Sequence, residues 1–268
     1  MTDSEQSIEA QHELLVVGGG VAGLTAATFA ARAGLDTLVV DHGESILRRN
    51  AHLENFPGFP AGVNPRLFAD MLQAQATRNG ADYQQGLVDD LSGSIEDGFV
   101  ATVGAVDDGE SRDIRADRVL VASWADVSYL DGIGVEIRDA GSKQYVDDDG
   151  LGRTNVGGIY TAGRIAERYH QAVIAAGDGA EAAITLIHDS ETPFYNDWVV
   201  PEGYFTDRDR EVPPGCEEID EAEQQARQAA SRAAMREYFA KPHEERQRTH
   251  PSLVDDEQGR IDWDDAGS

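Results

Sequence analysis

Three glycines and one aspartate near the start of the chain have the types and spacing that hold a dinucleotide. Gly18, Gly20 and Gly23 follow four apolar residues in the sequence LLVVGGGVAG. In such a pattern Gly18 permits a tight turn, Gly20 leaves room for phosphates, and Gly23 lets a helix pack closely on a strand. Asp41 lies about 20 residues further on, where a carboxylate accepts hydrogen bonds from the ribose hydroxyls of an adenosine. These residues predict a pyrophosphate site at a helix N-terminus, and the alternative is an ordinary βαβ unit with a glycine-rich turn.

The elements that must position these residues predict an α/β fold. Residues 14–17 are a continuous apolar run typical of a buried parallel strand, and the small residues after Gly23 favour a helix. A second strand at 36–40 ends at Asp41. Further along we expect a helix at 66–79, an antiparallel meander within 81–121, a buried strand at 118–122, a short strand at 158–161 and a helix at 171–188. The fold class is therefore a Rossmann-like domain with a parallel sheet plus an antiparallel meander and a C-terminal extension.

Composition divides the chain into four segments. Residues 1–11 are polar and are expected to be disordered, and residues 12–190 form the dinucleotide-binding domain. Residues 191–240 hold an aromatic loop and an acidic, alanine- and arginine-rich helix over 217–240. Residues 241–268 are expected to form a flexible acidic tail.

The charge balance is strongly acidic along the whole chain. Lys and Arg total 22 against 50 Asp and Glu, a formal net charge of −28, and the lysines are Lys143 and Lys241. Such a composition resembles proteins of salt-loving microbes, haloarchaea among them, in which salt screens the repulsion between carboxylates. The alternative is an acidic patch for a basic partner, but the acids are not confined to one block. The charge argues against nucleic acid or a membrane surface as a partner.

Cysteine usage and hydropathy predict a cytoplasmic protein. Cys216 is the single cysteine, so an intrachain disulfide is excluded. The first residues lack the features of a signal peptide, and no apolar run approaches the length of a membrane helix. No cluster predicts a metal site.

Three separated segments carry a resemblance to a known family: GGGVAG at 18–23, ENFPGFP at 54–60 and TNVGGIYTAGRIAERYHQAVIAAGDGAEAA at 154–183. Together they resemble the thioredoxin reductases and their low-molecular-weight flavin-dependent relatives. The resemblance implies that the first segment binds the pyrophosphate of FAD, the second packs on the isoalloxazine, and the third closes the site. The residues that would hold FAD are Gly18, Gly20, Val21, Ala22, Gly23, Asp41, His42, Asn55, Val88, Gly163, Arg164, Gln171, Ala172 and Val173.

The chain also departs from that family. Its members insert an NADPH-binding domain, usually with a redox cysteine pair, between two halves of the FAD domain. Here residues 123–153 join the halves, the second glycine fingerprint is missing, and there is no Cys-x-x-Cys. Arg164 stands where the family usually has Asp, and Trp124 where it has Gly. Arginine cannot accept a hydrogen bond, although it can pair with a phosphate.

Several site residues have two interpretations. Gln171, Ala172 and Val173 begin a helix whose positive end faces the flavin pyrimidine edge, or else a plain core helix. Asn55 is a polar contact to the flavin or a turn residue, and Val88 lies by the adenine or in the strand core.

The histidines and the C-terminal aromatic residues are also open to two interpretations. His170, then His52, are the candidates for a catalytic acid or base, against a role in the pocket wall or at the surface, as for His188. Trp198 and its aromatic neighbours either cover the flavin or pack on the domain surface. Cys216 is either a redox-active thiol or has no role in the chemistry.

These observations predict an FAD-dependent oxidoreductase that receives electrons from a partner protein such as ferredoxin, from a small substrate, or from free NAD(P)H. The resemblance further implies a homodimer, with the C-terminal extension as an arm across the partner. One alternative is a non-catalytic FAD-binding redox sensor or a subunit of a larger complex. Another is a domain that has lost FAD.

Overall fold

A seven-stranded sheet forms the centre of the protein. The computed structural model describes residues 8–43, 45–104, 111–124, 126–194, 196–256 and 258–261. The strands are β1 (Ile8–Val17), β2 (Thr37–Asp41), β3 (Asp82–Gln85), β4 (Leu87–Ser94), β5 (Gly98–Gly104), β6 (Arg112–Val121), β7 (Ile137–Asp139), β8 (Gln144–Val146), β9 (Ile159–Thr161), β10 (Trp198–Pro201) and β11 (Cys216–Ile219). The α-helices are α1 (Val21–Arg32), α2 (Pro65–Arg78), α3 (Ala172–His188) and α4 (Glu221–Tyr238).

The strand order confirms the predicted fold class. The central sheet runs β3-β2-β1-β6-β5-β4, with parallel pairing among β3, β2, β1 and β6 and antiparallel pairing among β6, β5 and β4. β6 forks, because β5 pairs with its first half, residues 112–116, and β9 pairs in parallel with its last residues, 119–121. The result is a Rossmann-like parallel sheet continued by an antiparallel meander.

Alternate residues of β1 face two cores. Leu14 and Val16 pack with α1 and α3, while Leu15 and Val17 pack with the meander. Because successive residues of a strand point to opposite faces, a strand covered on both sides must be apolar throughout. The four consecutive apolar residues of this strand are therefore explained by its burial on both faces.

The structure differs from the prediction of disorder up to residue 11. β1 begins at Ile8, which pairs with Asp113 of β6, and the pairing continues through residues 10–12. Pairing between strands uses backbone groups, so a polar sequence such as IEAQ joins a sheet when its neighbour offers a free edge. Residues 1–7 lie outside the described part of the chain.

The C-terminal extension contains a small parallel sheet and a helix. β10 pairs with β11, and Asp197 joins this sheet to the body through Arg32 at 2.5 Å. The helix expected over 217–240 begins at Glu221, where Asp220 caps it, since residues 216–219 are taken by β11. None of the residues of α4 is buried.

The segment after α4 folds back on the domain, in contrast to the expected flexible tail. Glu245 pairs with Arg48 at 2.7 Å and with Arg248 at 2.5 Å, and His243 contacts Asp70 at 2.7 Å. These ion pairs hold residues 243–248 in place. Residues 257 and 262–268 lie outside the described part. Within the part that is described, no helix has the length and apolar character needed to cross a membrane.

Candidate functional site

A cavity of about 1180 Å³ opens at the carboxyl ends of the parallel strands β1, β2 and β6. This is the edge at which open α/β sheets bind ligands. Its lining combines the glycine loop, the end of β2, the loop at 45–55 and the start of α3. The predicted site residues in the lining are Gly18, Gly20, Val21, Ala22, Asp41, His42, Asn55, Val88, Gly163, Arg164, Gln171 and Ala172, together with His52 and His170.

Two of the predicted residues lie outside that lining. Gly23 is buried beneath the loop, where a Cβ would lie 1.9 Å from the Gly18 carbonyl oxygen. Its role is therefore the close packing of α1 on β1. Val173 is 38% exposed and is not among the lining residues.

The glycine at position 20 is not required by the protein itself. Gly18 has φ +109° and its Cβ would lie 2.7 Å from the Ala122 carbonyl oxygen, so the fold demands glycine there. Gly20 has φ −79°, which any residue can adopt, and the nearest atom to its Cβ would be Ser45 Oγ at 3.9 Å. What Gly20 provides is open cavity space at the start of α1. A bound phosphate fits that space, which is the role the glycine pattern assigns to it.

The two helices that start at the cavity lack side-chain caps. α1 begins after Gly20 and α3 after Gln171, and in the described structure neither helix has a capping side chain or an acidic residue in its first turn. By contrast, Asn64 caps α2 and Asp220 caps α4, both outside this cavity. The first N–H groups of a helix need acceptors, and the helix dipole favours negative charge there. The cavity therefore receives two positive helix ends, which suits an anionic or carbonyl-bearing ligand.

Asp41 is fixed at the end of β2. Its Oδ1 accepts a hydrogen bond from the Gly19 N–H at 2.9 Å and its Oδ2 accepts one from the Tyr83 hydroxyl at 2.6 Å. Burial and the Asp41 carboxylate raise the pKa of Tyr83, so this hydroxyl stays a donor. A carboxylate has about four acceptor positions, so Asp41 keeps capacity for ligand hydroxyls. His42 and Val88 line the same end of the cavity.

Asn55 and Gln171 join the ENFPGFP loop to the start of α3. The Asn55 side-chain amide donates to Gln171 Oε1 at 2.7 Å, and both residues line the cavity. Two residues 116 positions apart in sequence are thereby brought together. Two segments that the resemblance placed at one end of the site do meet there.

Arg164 is held at the cavity edge by Tyr145. Its guanidinium donates to the Tyr145 hydroxyl and lies 4.9 Å from the centre of that ring. The acceptor that the family's aspartate would provide is absent at this position, because arginine is a donor only.

Asp178 is a supporting residue that the sequence analysis did not identify. It accepts from the Gly163 N–H at 2.5 Å and from Arg168 Nε at 2.6 Å, and Arg168 also reaches Asp148 at 2.6 Å. These bonds fix Gly163, which lines the cavity, against α3. The signal was present in the GDGAEAA string, where Asp178 lies six residues after the start of α3.

Trp124 and His170 lie together at the cavity rim. Their ring centres are 4.6 Å apart in an edge-on arrangement, and Trp124 is 43% exposed. Burial, with smaller effects of Arg164 and Lys143, lowers the pKa of His170. His170 is therefore neutral near pH 7 and can accept a proton. The sequence pointed to Trp124 because this residue stands where the thioredoxin reductases have glycine.

The other candidate residues lie elsewhere or have structural roles. His52 Nε2 contacts the Ala61 carbonyl oxygen at 3.1 Å, which holds the ENFPGFP loop closed. Trp198 packs on Tyr204 with ring centres 4.9 Å apart and does not line the cavity, so the structure favours its second interpretation, packing on the domain surface. Its aromatic neighbours Tyr204 and Phe205 also pack against each other, beside the β10–β11 sheet. Cys216 lies in β11 and His188 at the end of α3, both outside the cavity lining.

Comparisons with known proteins agree with this geometry. Residues 16–82 match the family model of the NAD(P)-binding Rossmann-like domain. The chain is 29% identical over 212 residues to the dihydrolipoyl dehydrogenase of Halobacterium salinarum, covering 76% of this chain and 40% of the relative. It is 32% identical over 135 residues to the thioredoxin reductase of Listeria innocua, covering 50% of this chain and 39% of the relative. The chain thus spans about two fifths of the length of these curated relatives.

Solved structures show the same fold. An oxidoreductase from Agrobacterium tumefaciens matches with a TM-score of 0.59 and 17% identity, covering 67% of this chain and 98% of that one. A thioredoxin reductase from Gloeobacter violaceus matches with a TM-score of 0.56 and 15% identity, covering 70% of this chain and 97% of that one. The protein therefore has a Rossmann-like α/β fold of the kind found in thioredoxin reductases.

Proposed function

We propose that this chain is a flavoprotein domain that binds FAD non-covalently and acts as an oxidoreductase, in the cytoplasm of a salt-adapted organism. The observation that carries the proposal is the pair of uncapped helix N-termini, of α1 and α3, at one cavity. A dinucleotide with a pyrophosphate near one end and a polarised ring system at the other satisfies both. The relatives named thioredoxin reductase and dihydrolipoyl dehydrogenase support an oxidoreductase.

The extent of the cavity favours FAD over NAD(P). The match to the Rossmann-like family ends at residue 82, so it covers the glycine loop and Asp41 but not the start of α3. The other end of the cavity is built by Gln171, Ala172 and Arg164, which come from a much later part of the sequence. The resemblance of segments 54–60 and 154–183 to the flavin-facing segments of thioredoxin reductases supports an isoalloxazine at that end.

Each group of residues then has a defined task. Asp41 would hold ribose hydroxyls, and the amides at the start of α1 would hold the pyrophosphate across the space left by Gly20. A bound flavin would supply the redox chemistry, and the protein would supply position and electrostatics. The positive end of α3 would stabilise negative charge at the far end of the cavity. His170, neutral at the rim, can take up or return a proton.

We propose that electrons arrive at the cavity rim from outside the domain. Trp124 is 43% exposed and Tyr169 82% exposed, and both line the mouth of the cavity. Exposed aromatic residues favour contact with a partner protein such as ferredoxin or with a small planar substrate, including free NAD(P)H. A donor of either kind would reach the site without crossing other parts of the domain.

A second copy of this chain is the structural partner that we propose. α4 is 18 residues long and none of them is buried, while Met235 remains 39% exposed. Together with the dimerisation implied by the resemblance, this supports α4 as an arm across a second protomer. Light scattering after gel filtration in multimolar KCl would then give a dimer for the wild type and a smaller species for Met235→Glu. A wild-type monomer would contradict the arm.

The alternative is a non-catalytic redox sensor or a subunit of a larger complex with FAD as its ligand. This alternative is supported by the chain's length, because the chain covers 40% and 39% of the two relatives, whose activities belong to the longer proteins. Rapid reduction of the flavin by a donor and reoxidation by an acceptor would favour the enzyme. Slow cycling with a change in oligomeric state would favour the sensor.

The first experiment is an absorbance spectrum of the protein purified in multimolar KCl. We expect the near-ultraviolet and blue absorption bands of oxidised flavin, and FAD in about one copy per chain after denaturation, as for a single dinucleotide site. A matched titration of apoprotein with FAD and with NAD⁺ distinguishes the two cofactors. A colourless protein that takes up no FAD would overturn the proposal.

A further inference from the structure

A second cavity, of about 560 Å³, lies between the start of α2 and the segment that follows α4. Its lining is Asn64, Arg66, Leu67, Phe239, Lys241, Pro242, His243, Glu245, Arg246 and Gln247. Basic residues outnumber acidic ones in this lining, although the chain as a whole has 50 acidic and 22 basic residues. Such a local reversal of charge in an acidic protein points to a requirement for positive charge at this place.

Arg66 is a buried cation, and no carboxylate in the described part of the chain forms an ion pair with it. It is 5% exposed, and its Nη1 donates to the carbonyl oxygens of Arg48 at 3.0 Å and Asn50 at 3.2 Å and to Gln247 Oε1 at 3.3 Å. Its Nε is buried and has no hydrogen-bond partner within the described residues. A buried charge is costly unless it is paired and fully hydrogen-bonded. The charge of Arg66 therefore calls for an anion nearby.

The nearby carboxylates are already engaged by other cations. Glu245 lies between Arg48 at 2.7 Å and Arg248 at 2.5 Å, and Asp70 accepts from Arg48 at 2.6 Å and contacts His243 at 2.7 Å. Two guanidiniums and one imidazole thus share two carboxylates. Burial lowers the pKa of Arg66, and the charge of Glu245, which acts the other way, does not outweigh burial together with the charges of Arg248 and Arg48.

Lys241 adds a second positive charge in the same lining. It is one of two lysines in the chain, and no described residue forms a hydrogen bond or ion pair with its ammonium group. Beside it, Phe239 is 49% exposed and Leu67 contributes an apolar wall. The first amides of α2 are not available to a ligand, because Asn64 Oδ1 already accepts from Arg66 and Leu67. The donors for an anion are therefore side chains.

We propose that this second cavity binds a small phosphate monoester, with the phosphate between Arg66 and Lys241 and an apolar or aromatic group against Phe239. The two positive charges, neither of which has an ion-pair partner among the described residues, match a phosphate monoester, which carries nearly two negative charges at neutral pH. The volume lies within the usual range for small-molecule sites. The site is separate from the larger cavity and does not depend on the cofactor proposed there.

The two lysines allow a direct test in the intact protein. Acetylation of surface amines is followed by mass spectrometry in KCl at fixed ionic strength, with phenyl phosphate, inorganic phosphate or benzoate added. Phenyl phosphate at twice its dissociation constant should slow acetylation of Lys241 about threefold and leave Lys143 unchanged. Lys143, in the turn between β7 and β8, serves as the reference within the same molecule.

A variant pair checks the same inference without labelling. Phenyl phosphate should raise the melting temperature of the wild type and of Lys143→Gln but not of Lys241→Gln. If phenyl phosphate changes the acetylation rate of neither lysine, the proposal is overturned. Arg66 would then serve only to anchor the C-terminal segment. Protection by benzoate as strong as that by phenyl phosphate would overturn the assignment of a phosphate. Neither readout involves flavin, so failure of the FAD proposal would not affect it.

Discussion

Replacing Gly20 by aspartate should have opposite effects on the stability of the apoprotein and on its affinity for FAD. The backbone at position 20 has φ −79°, and a Cβ there meets no protein atom closer than Ser45 Oγ at 3.9 Å. Aspartate is a better helix N-cap than glycine, its charge suits the start of α1, and it restricts the unfolded chain. We therefore expect Gly20→Asp to stabilise the apoprotein by about 1 kcal/mol, or about 2–4 °C in melting temperature for a domain of this size.

The same substitution should severely weaken FAD binding. The new carboxylate would accept the first amides of α1 and would occupy the space proposed for the pyrophosphate. Loss of two hydrogen bonds to a charged group costs about 3 kcal/mol or more. This corresponds to a dissociation constant at least about 100-fold higher, before the repulsion between carboxylate and phosphate is counted.

The assay pairs apoprotein melting with FAD titration by flavin fluorescence, both in multimolar KCl. Gly177→Ala in α3 is the matched control, because its Cβ would meet nothing within 4 Å and Gly177 is not in the cavity lining. The control should gain up to about 1 kcal/mol from the better helix former and keep wild-type affinity for FAD.

Two results would refute the reasoning about Gly20. Wild-type affinity for FAD in Gly20→Asp would show that no phosphate lies over the start of α1. A fall in the melting temperature of the apoprotein would show that the fold itself needs glycine at this position.

Three further substitutions test other parts of the structure. Trp124→Ala removes the ring that packs edge-on against His170, so the pKa of this histidine should rise toward its ordinary 6.5, as measured by NMR titration. An unchanged pKa would show that Trp124 does not contribute to the desolvation of His170. Desolvation raises the pKa of Glu218, but donors in residues 203–206 outweigh it and lower the pKa to about 2. Glu218→Gln should therefore lower the free energy of unfolding above pH 4.5, and this loss should shrink as the pH falls toward about 2. Denaturation at a series of pH values measures it, and a loss that does not change with pH would contradict the lowered pKa of Glu218. Asp178→Asn weakens charge-assisted hydrogen bonds to Arg168 and Gly163 and should cost about 2 kcal/mol in urea unfolding, and a loss near zero would show that these bonds do not stabilise the fold.

The first half of the fold could be predicted because its signals are local. The apolar run of β1, the glycines after it and the helical spacing of α2 each lie within about one element, so pattern and propensity are sufficient. The acidic strand CEEI of β11 has no such pattern. It pairs with β10 through backbone groups, and Glu218 is used to bind the turn at 203–206.

The parts of the site that escaped prediction depend on contacts distant in sequence. Arg48 and Glu245 are 197 residues apart, so the return of the C-terminal segment cannot be recognised from either residue alone. Trp124 meets His170 only after two loops reach the same edge of the sheet. The contact between Asn55 and Gln171 is also distant in sequence. It could be anticipated because the resemblance assigns both of their segments to the flavin.

The crossover between β6 and β9 tolerates inserted sequence at one place. The two strands are parallel, so the chain leaves the sheet after residue 121, at the carboxyl end of β6, and returns to the opposite end of the pair to enter β9 at residue 159. Part of this crossover is fixed, because Val127, Leu130 and Val146 are buried in the core. The turn at 140–143 between β7 and β8 is exposed, so residues added there would leave the order of the central strands unchanged.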